Sequence, residues 1–417
     1  MKKTIDLNLA RRIDFWVGIP ASLLVSGIHK LEAMFRSRVD GEGIAPKKIL
    51  FLELSEMGSA ILACSAILKA KQLYPEARLY FWIFMENAES VALSGLIPEE
   101  NIITIRTDGL WTMFLDTFRA LRCVRREGMD VIIDLELFSR FTSLLVYLGG
   151  AKQRVGFHKF SMEGLSRADV YTRKVMYNAY MHMSRNFLSL VLALREPAQT
   201  IPLLKLSLAQ AATEAPRLLP DAGRQAKIRV KLESIKSEVS PADRLILLNF
   251  GLGDRLPLRV WPLENSLELG KRLLEEDGVF VVLLGVQHVR GADERIRKFS
   301  TRPRVIDMFG RTSIPEVVDL CGISRLLISH DCGIAHLASL TALDTVVLFG
   351  PETPALYAPL NPNMTVIYKN FACSPCLLAY NHRKSVCRDN SCLKAISVDE
   401  VYAAAMSRLR RRPAAAQ

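Results

Sequence analysis

Residues 326–360 read LLISHDCGIAHLASLTALDTVVLFGPETPALYAPL, and this stretch decides the fold of the second half of the chain. It begins with a short apolar run typical of a strand buried in a parallel sheet. Polar residues end that run, and Gly333 permits a sharp turn. Residues 335–343 have helical spacing, and residues 345–349 form a second apolar run. The stretch therefore predicts a strand–turn–helix–strand unit.

The beginning of the predicted helix offers free backbone N–H groups and the positive end of a helix dipole, which suit a phosphate or pyrophosphate. His336 could add a proton or a positive charge there, and Asp331 could orient the turn or accept a hydrogen bond from a sugar hydroxyl. Ordinary βαβ turns share this spacing, so the pattern alone leaves an anion site and a plain connection both open.

The chain has 417 residues, half of them hydrophobic, and a formal net charge of +12. This length predicts two domains with real cores. A positive charge fits nucleic acid, an anionic membrane surface or acidic substrates. The aromatic-interleaved basic tract of a single-strand binder is absent, which argues against nucleic acid. Basic residues concentrate at the two ends of the chain, at Arg11, Arg12, Arg36, Arg38 and residues 408–412. This distribution favours an anionic membrane surface, with residues 408–417 by themselves interpreted as a solvated tail.

An uncharged apolar run, FWVGIPASLLVSGI at residues 15–28, follows the first basic pair. It is too short to span a bilayer as a helix, and no cleavage site of a signal peptide follows it cleanly. We interpret residues 1–45 as a segment that lies in the plane of a membrane. Its predicted lipid-facing side chains are Phe15, Trp16, Leu23 and Leu24. The alternative is a helix packed onto the protein's own domain.

Strands alternate with helices along most of the chain, which predicts parallel, doubly wound sheets. Residues 78–84, 131–135 and 279–284 are clear buried strands, and residues 175–194 are predicted to form one long helix. A stretch rich in Pro, Ala and charge then marks the hinge. The predicted parts are an N-terminal segment (1–45), a first Rossmann-like domain (46–205), a linker (206–240), a second Rossmann-like domain (241–370), a cysteine-rich segment (371–396) and a C-terminal helix with a basic tail (397–417).

The sequence SHDCGIAHLA at residues 329–338, followed by LFGP at residues 348–351, resembles the D-[ST]-G-x-x-H-L-A…LFGPT pattern of glycosyltransferase family 9, the ADP-heptose:lipopolysaccharide heptosyltransferases. The resemblance covers roughly residues 47–402. It implies an α/β GT-B fold, in which two Rossmann-like doubly wound domains face a cleft and the second holds most of the nucleotide sugar. It also implies sugar transfer with inversion at the anomeric carbon, without a metal or another catalytic cofactor.

The partners that the resemblance implies are a nucleotide sugar, which is an ADP-sugar in the best-known members, and a glycolipid or glycan acceptor such as lipopolysaccharide core. The implied place of action is the cytoplasmic face of a bacterial inner membrane, with the protein bound peripherally. A nucleotide-sugar epimerase of GT-B fold is an alternative, against which the segment RVWP at residues 259–262 argues.

Individual site residues follow from the same resemblance. Arg259 begins a segment that is similar to [KR]-x-W-P, whose basic residue contacts the donor phosphates, and Asn249 lies where the first strand of the donor domain ends. The acid that holds the donor ribose is displaced by an apparent insertion, and Asp293 and Glu294 are the nearest acids. The implied donor-binding residues are Asn249, Arg259, Glu294, Asp331, Cys332, Gly333 and His336. The acceptor-binding residues implied by an I-D-L…R-S segment are Asp134 and Arg140.

One turn departs from the family. The pattern S-x-x-G-D ends in an aspartate that deprotonates the acceptor hydroxyl, whereas residues 55–59 read SEMGS and place Ser59 there. Serine is not a general base near neutral pH without help. Glu53 and Glu56 lie close by, at the carboxyl end of a predicted strand, where open α/β sheets place ligands. We predict that Glu56, or else Glu53, is the base; the alternatives are a solvated Glu56 and a protein that binds nucleotide sugar or glycan without turnover.

Four cysteines cluster late in the chain, with the spacing C-x2-C-x10-C-x4-C. This spacing indicates a structural zinc or an iron–sulfur cluster that would fold a polar loop. Two disulfides or free thiols are the alternatives. The predicted metal ligands are Cys373, Cys376, Cys387 and Cys392.

Overall fold

A computed structural model of the chain describes residues 7–35, 45–137, 139–158, 167–197, 203–208, 211, 213–251, 256–285, 293–379 and 384–410. The chain divides into two units, Met1–Glu214 and Ala215–Gln417, here called the first and second domains. The division falls inside the stretch predicted as a linker. The predicted basic positions that lie outside the described residues are Arg36, Arg38, Arg411 and Arg412.

The first domain contains a six-stranded sheet in which the pairings between neighbours are parallel. Its strands are β1 (Lys48–Leu52), β2 (Arg78–Phe84), β3 (Ile102–Ile105), β4 (Val131–Asp134), β5 (Gln153–Phe157) and β6 (Arg173–Val175). Their order across the sheet is β3-β2-β1-β4-β5-β6. The direction of winding therefore reverses between β1 and β4, which is where doubly wound sheets bind ligands.

Helices cover both faces of this sheet. They are α1 (Leu7–Trp16), α2 (Gly18–Phe35), α3 (Met57–Leu62), α4 (Cys64–Leu73), α5 (Ala88–Leu93), α6 (Leu110–Glu127), α7 (Arg140–Leu148) and α8 (Met183–Leu192). The prediction of one helix over residues 175–194 is wrong, because Val175 ends β6 and α8 begins only at Met183. The side chain of Asn186 donates to the carbonyls of Asn178 and Met181, and so holds the intervening residues as a loop.

The second domain repeats the same topology. Its strands are β7 (Arg244–Asn249), β8 (Val279–Leu284), β9 (Val305–Asp307), β10 (Leu326–His330), β11 (Asp344–Phe349) and β12 (Met364–Tyr368). Its helices are α9 (Ala222–Ile235), α10 (Leu263–Leu273), α11 (Asp293–Ser300), α12 (Ile314–Ile323), α13 (Gly333–Ala338), α14 (Pro354–Tyr357), α15 (Ser391–Lys394) and α16 (Val398–Leu409). The order β12-β11-β10-β7-β8-β9 reverses between β7 and β10.

Apolar strand residues and the last helix form the core of the second domain. Leu248 and Ile328 of the central strands are buried against Val401 and Ala405 of α16. Trp261 is almost completely buried, and its indole N–H donates to the carbonyl of Ile396 at 3.0 Å. Truncation of a buried tryptophan to alanine typically costs about 3–5 kcal/mol, so Trp261 is a main anchor for the loop that precedes α10.

The N-terminal helices dock on the first domain. Asp14 forms an ion pair with Arg140 at 2.6 Å, and Glu32 accepts a hydrogen bond from the hydroxyl of Tyr147 at 2.9 Å. The alternative of a segment packed on its own domain is therefore what the structure shows. The side chains predicted to face lipid still point to solvent, and Trp16 is 73 % exposed. Among the described helices none combines the length and the apolar character needed to cross a bilayer.

Candidate functional site

Two predicted donor residues meet at the carboxyl ends of β7 and β10. Asn249 ends β7, and its side-chain amide donates to the hydroxyl of Ser329 at 2.9 Å and to the thiol of Cys332 at 3.1 Å. All three side chains are buried. The hydrogen bonds tie the turn after β10 to the end of β7, at the reversal point of the sheet.

A buried charge cluster lies beside this turn. Arg259, in the 3-10 turn Pro257–Arg259, places Nη1 3.1 Å from Oδ2 of Asp331 and Nη2 3.2 Å from Oε2 of Glu352. All three side chains are less than a tenth exposed. The resemblance implied that Arg259 and Asp331 share a site, and the structure brings them into contact.

A histidine sets the position of the loop that carries Arg259. The backbone N–H of Trp261 donates to Nε2 of His330 at 2.9 Å. Burial lowers the pKa of His330 to about 4, so the imidazole is neutral at physiological pH. Since Nε2 accepts, the proton resides on Nδ1. His330 is therefore a structural link between β10 and the loop before α10.

The acids of the cluster have raised pKa values. Burial raises the pKa of Glu352 to about 8, and the charge of Arg259 opposes that rise. Burial also raises the pKa of Asp331, again against Arg259. With a pKa of about 8, Glu352 keeps its proton near neutral pH and presents no negative charge to Arg259.

Sequence reasoning missed Glu352. It follows Gly350 and Pro351, at the place where the family pattern LFGPT has threonine. That acid in place of a small neutral residue was the available signal. Its contact with Arg259 spans 93 positions of the chain, which sequence spacing does not reveal.

The remaining predicted donor residues lie in different surroundings. Gly333 begins α13, and His336 is buried in its first turn. This helix has 6 residues and ends at Ala338, whereas the sequence predicted residues 335–343. Glu294 is exposed at the beginning of α11, and residues 286–292, which precede this helix, lie outside the described residues. The donor roles of these residues stay predictions.

In the first domain the predicted bases follow β1. Glu53 is nearly fully buried, whereas Glu56 is half-buried and precedes α3 as its N-cap. The hydroxyl of Ser59 donates to Oε2 of Glu56 at 3.3 Å. The carboxylate of Glu56 therefore lies next to the side chain that replaces the family aspartate.

Asp134 ends β4 and is completely buried. It forms an ion pair with Arg167 and accepts a hydrogen bond from the hydroxyl of Tyr171 at 2.6 Å. Burial raises the pKa of Asp134, and the charge of Arg167 opposes the rise. The predicted acceptor roles of Asp134 and Arg140 stay predictions, and the structure gives both residues internal ion pairs.

Glu136 is a second acid that sequence reasoning missed. It lies two residues beyond Asp134, and its Oε1 accepts from the hydroxyl of Ser55 at 3.0 Å and from the backbone N–H of Leu54 at 3.2 Å. Burial, followed by the charge of Asp134, raises the pKa of Glu136. A carboxylate of raised basicity thus bridges the ends of β1 and β4. The signal was the pair of acids two positions apart, a spacing that directs both to one side of an extended chain.

The structure, which describes all four late cysteines, joins none of them in a disulfide. Cys392 is buried, and burial followed by the charges of Cys376 and Cys373 raises its pKa, so these three lie near one another. Cys387 donates instead to the carbonyl of Asp389 at 2.9 Å. Within the described part of the chain, no group of three or more His, Cys, Asp or Glu residues is arranged to hold a metal ion. The metal site therefore stays a prediction.

The cysteine segment is nevertheless joined to the site. The backbone N–H of Cys376 donates to the carbonyl of Pro351 at 2.8 Å, next to Glu352. A Cβ at Gly350 would lie 2.5 Å from Leu393 and 3.1 Å from the thiol of Cys392. The absence of a side chain at Gly350 therefore lets this segment pack against the turn that carries Glu352.

Known proteins resemble the chain in sequence and in fold. A model of the family described as glycosyltransferase family 9 (heptosyltransferase) matches residues 117–386. The lipooligosaccharide heptosyltransferase 2 of Haemophilus influenzae is 27 % identical over 114 residues, which are 27 % of this chain and 33 % of that protein. The match thus spans about a third of the length of this curated relative.

Two solved structures from Escherichia coli resemble nearly the whole chain. ADP-heptose lps heptosyltransferase II gives a TM-score of 0.65 at 18 % identity and covers 87 % of this chain and 98 % of that chain. Heptosyltransferase WaaC with ADP gives a TM-score of 0.62 at 15 % identity and covers 87 % and 99 %. The fold is therefore GT-B. Since the family model matches well over half of the residues, the chain belongs to glycosyltransferase family 9, the heptosyltransferase family.

Proposed function

We propose that the protein is an inverting, metal-independent glycosyltransferase that moves a heptose-like sugar from a nucleoside diphosphate donor to lipopolysaccharide core or a related glycan. The buried cluster of Arg259, Asp331 and Glu352 at the reversal point of the second sheet carries this proposal. Family membership supports it, and a related structure that contains ADP makes an ADP-sugar the first donor to test.

Arg259 is the group that meets the donor diphosphate. Its guanidinium can hold two phosphate oxygens at once, and it stabilises the negative charge that grows on the leaving diphosphate. A protonated Glu352 presents no negative charge to that anion. Asp331 and Glu352 both hold the guanidinium in place. Because Glu352 is neutral, it does so without weakening the attraction of Arg259 for a phosphate.

Glu56 is the base in this proposal. It takes the proton of the acceptor hydroxyl while that oxygen bonds to the anomeric carbon and the bond from this carbon to the diphosphate breaks. Ser59 supports the role, since its hydrogen bond holds the carboxylate of Glu56 beside the family's catalytic position. Glu53 is the weaker candidate because it is nearly fully buried.

The presence of Ser59 favours a second candidate, a protein that binds nucleotide sugar without turnover. Thermal unfolding with ADP-, UDP-, GDP- and CMP-sugars identifies the donor, because a ligand of the folded state raises the transition temperature. Transfer of heptose from ADP-heptose to a lipopolysaccharide-core acceptor then separates an enzyme from a binder. Stabilisation by the donor with neither transfer nor hydrolysis supports the binder.

Variants of Arg259 test the donor site itself. Arg259→Gln is expected to lower the turnover number about 100- to 1,000-fold, as for other groups that stabilise a developing anion. Arg259→Lys keeps the charge but loses the paired geometry, so we expect an intermediate loss. Arg302→Gln, an exposed arginine of the same domain, is the matched control. Equal rates for Arg259→Gln and the control contradict the proposal.

We also propose that α1 and α2 bind peripherally to an anionic membrane. Apolar side chains, among them Leu23 and Leu24, stay exposed although both helices are tethered to the first domain. Exposed apolar groups of this kind with basic flanks favour the membrane interface. The double substitution Leu23→Ser and Leu24→Ser is expected to weaken binding of the full chain to vesicles that contain phosphatidylglycerol.

A further inference from the structure

Helix α6 displays a row of aromatic side chains to solvent. Trp111 is 70 % exposed, Phe114 is 61 % exposed and Phe118 is 54 % exposed, and Leu110 extends the row. Spacings of three and four residues place the aromatic side chains on one side of the helix. The rings of Trp111 and Phe114 stack at 5.6 Å. The opposite side of the helix packs Ala120 and Val124 into the core, so the aromatic row is not part of this core.

Arginines continue this row toward the carboxyl end of α6. Arg122 follows Phe118 by four positions, and its guanidinium carbon lies 5.8 Å from the centre of the phenylalanine ring. Arg119, Arg125 and Arg126 are exposed as well. The outer surface of α6 therefore combines large apolar groups with cations.

The acids of α6 do not cancel these charges. Asp116 is buried and pairs with Arg106 at 2.7 Å and with Arg119 at 3.1 Å. Glu127 pairs with Lys48 at 3.1 Å and accepts from the hydroxyl of Tyr80 at 3.0 Å. Arg122, Arg125 and Arg126 thus retain their attraction for an external anion.

Helices α2 and α6 pack on the same core. Val25 of α2, Met113 and Leu121 of α6 and Tyr147 of α7 all surround one cluster of buried residues in the first domain. Right-handed crossovers from β3 to β4 and from β4 to β5 place α6 and α7 on one face of the sheet. The exposed aromatic row of α6 and the exposed apolar side chains of α2 therefore belong to the same face of the first domain.

We propose that the outer surface of α6 is a second membrane-docking surface, which binds an anionic lipid bilayer beside the N-terminal helices. Tryptophan and phenylalanine partition to the interface between headgroups and acyl chains, and arginines attract anionic headgroups. A second copy of the chain fits less well, because a two-fold contact would bring the same arginines together. The inference extends the membrane association proposed for α1 and α2, and it does not depend on sugar transfer.

The test measures sedimentation of the full chain with vesicles of phosphatidylcholine, with and without phosphatidylglycerol. Arg122→Gln with Arg126→Gln is expected to weaken binding to anionic vesicles about thirtyfold, or about fivefold per arginine. Trp111→Ser with Phe114→Ser is expected to weaken it at least tenfold, on the order of the transfer energy of two exposed rings. The conservative variant Trp111→Phe should keep most of the wild-type binding.

Matched controls lie on other surfaces. Arg297→Gln with Lys298→Gln removes two exposed charges from α11, and Tyr180→Ser removes an exposed ring from a loop of the first domain. Both controls should bind like the wild type. The α6 variants should keep the wild-type transition temperature and transfer rate to a soluble acceptor, since α6 contains none of the residues assigned to the donor or the base.

Binding of the α6 variants within twofold of the wild type overturns the inference, even where the Leu23 and Leu24 variant loses binding and the N-terminal contact stands. A concentration-dependent dimer that the α6 variants abolish, with no loss of vesicle binding, assigns the surface to a second copy and also overturns it. Loss of sugar transfer in the Arg259 variants with unchanged vesicle binding leaves the inference intact.

Discussion

The two domains share one strand order, yet their reversal points contain different chemistry. In the second domain a buried arginine, Arg259, faces two acids, one of which keeps its proton near neutral pH. In the first domain Arg167 forms an ion pair with Asp134, while Glu136 and Glu56 accept hydrogen bonds from neutral hydroxyls. An arginine with a neutral partner is suited to an incoming anion, and carboxylates held by hydroxyls are suited to accept a proton.

The comparison also distinguishes charged side chains that stabilise the fold from those that can take part in a reaction. Asp134 and Arg167 are enclosed with Tyr171, whose ring lies 5.0 Å from the guanidinium carbon. Such a pair contributes to folding only as long as both partners are present, because either charge alone is costly to bury. Asp134 is therefore the structural anchor at the reversal point of the first sheet. Glu56 and Glu136 are the acids there that are suited to accept a proton.

The largest expected effect concerns that anchor. Asp134→Asn removes one charge and leaves Arg167 buried without its counter-ion, which should lower the free energy of unfolding of the first domain by about 3–5 kcal/mol. Urea unfolding, monitored by hydrogen exchange of peptides that cover β1 and β4, measures the stability of this domain separately. Asp116→Asn is the control, since its partners Arg106 and Arg119 are 41 % and 68 % exposed and can be hydrated when the carboxylate is lost, so we expect a smaller loss. Equal losses in the two variants contradict the distinction between anchor and working acids.

The next effect concerns the base. Glu56→Gln should lower the turnover number about 100-fold or more while the affinity for the donor stays unchanged, because the proton acceptor is lost and the second domain is not altered. Adding Ser59→Asp to this variant places a carboxylate at the family position and should restore part of the rate. The rate constants of Glu53→Gln and Glu136→Gln decide between the acids of the first site.

If Glu136→Gln rather than Glu56→Gln abolishes turnover, the base is the acid at the end of β4 and the assignment of Glu56 is wrong. Unchanged rates in all three variants exclude these three glutamates as the base.

Most of the fold was predictable because parallel sheets are built from apolar runs. Residues 78–84 and 279–284 are strands in the structure with the predicted limits. The edge strand β12 escaped prediction, since it is only partly buried and its apolar run is short. Helix α13 is shorter than its apolar spacing suggested, because the hydroxyls of Ser339 and Thr341 bond to carbonyls of the preceding turn.

The site was less predictable than the fold. The family resemblance named Arg259 and Asp331, and the pattern of the residues alone did not place them together. The proton of Glu352 depends on burial and on a contact between distant segments, which no local pattern encodes. Glu136 escaped for a related reason: its basicity comes from desolvation and from the charge of Asp134, both of which are properties of the packed sheet.

The smallest expected effect tests the proton that distinguishes the second site. The pKa of Glu352 in the folded protein, about 8, lies above its ordinary value of 4.5, so the folded state holds this proton across the interval and loses it as the pH rises through 8. Ionised Glu352 competes with a diphosphate for Arg259. The affinity for ADP should therefore fall about fivefold between pH 8 and 9, as expected for a ligand that binds only the protonated form. Calorimetric titration between about pH 7.5 and 9, where a diphosphate is already ionised, measures this change.

Glu352→Gln should bind ADP with little dependence on pH, whereas Glu264→Gln, which removes an exposed acid of lowered pKa, should behave like the wild type. A parallel loss of affinity in the wild type and in Glu352→Gln would show that another group titrates, and it would remove the proton of Glu352 from the account of donor binding.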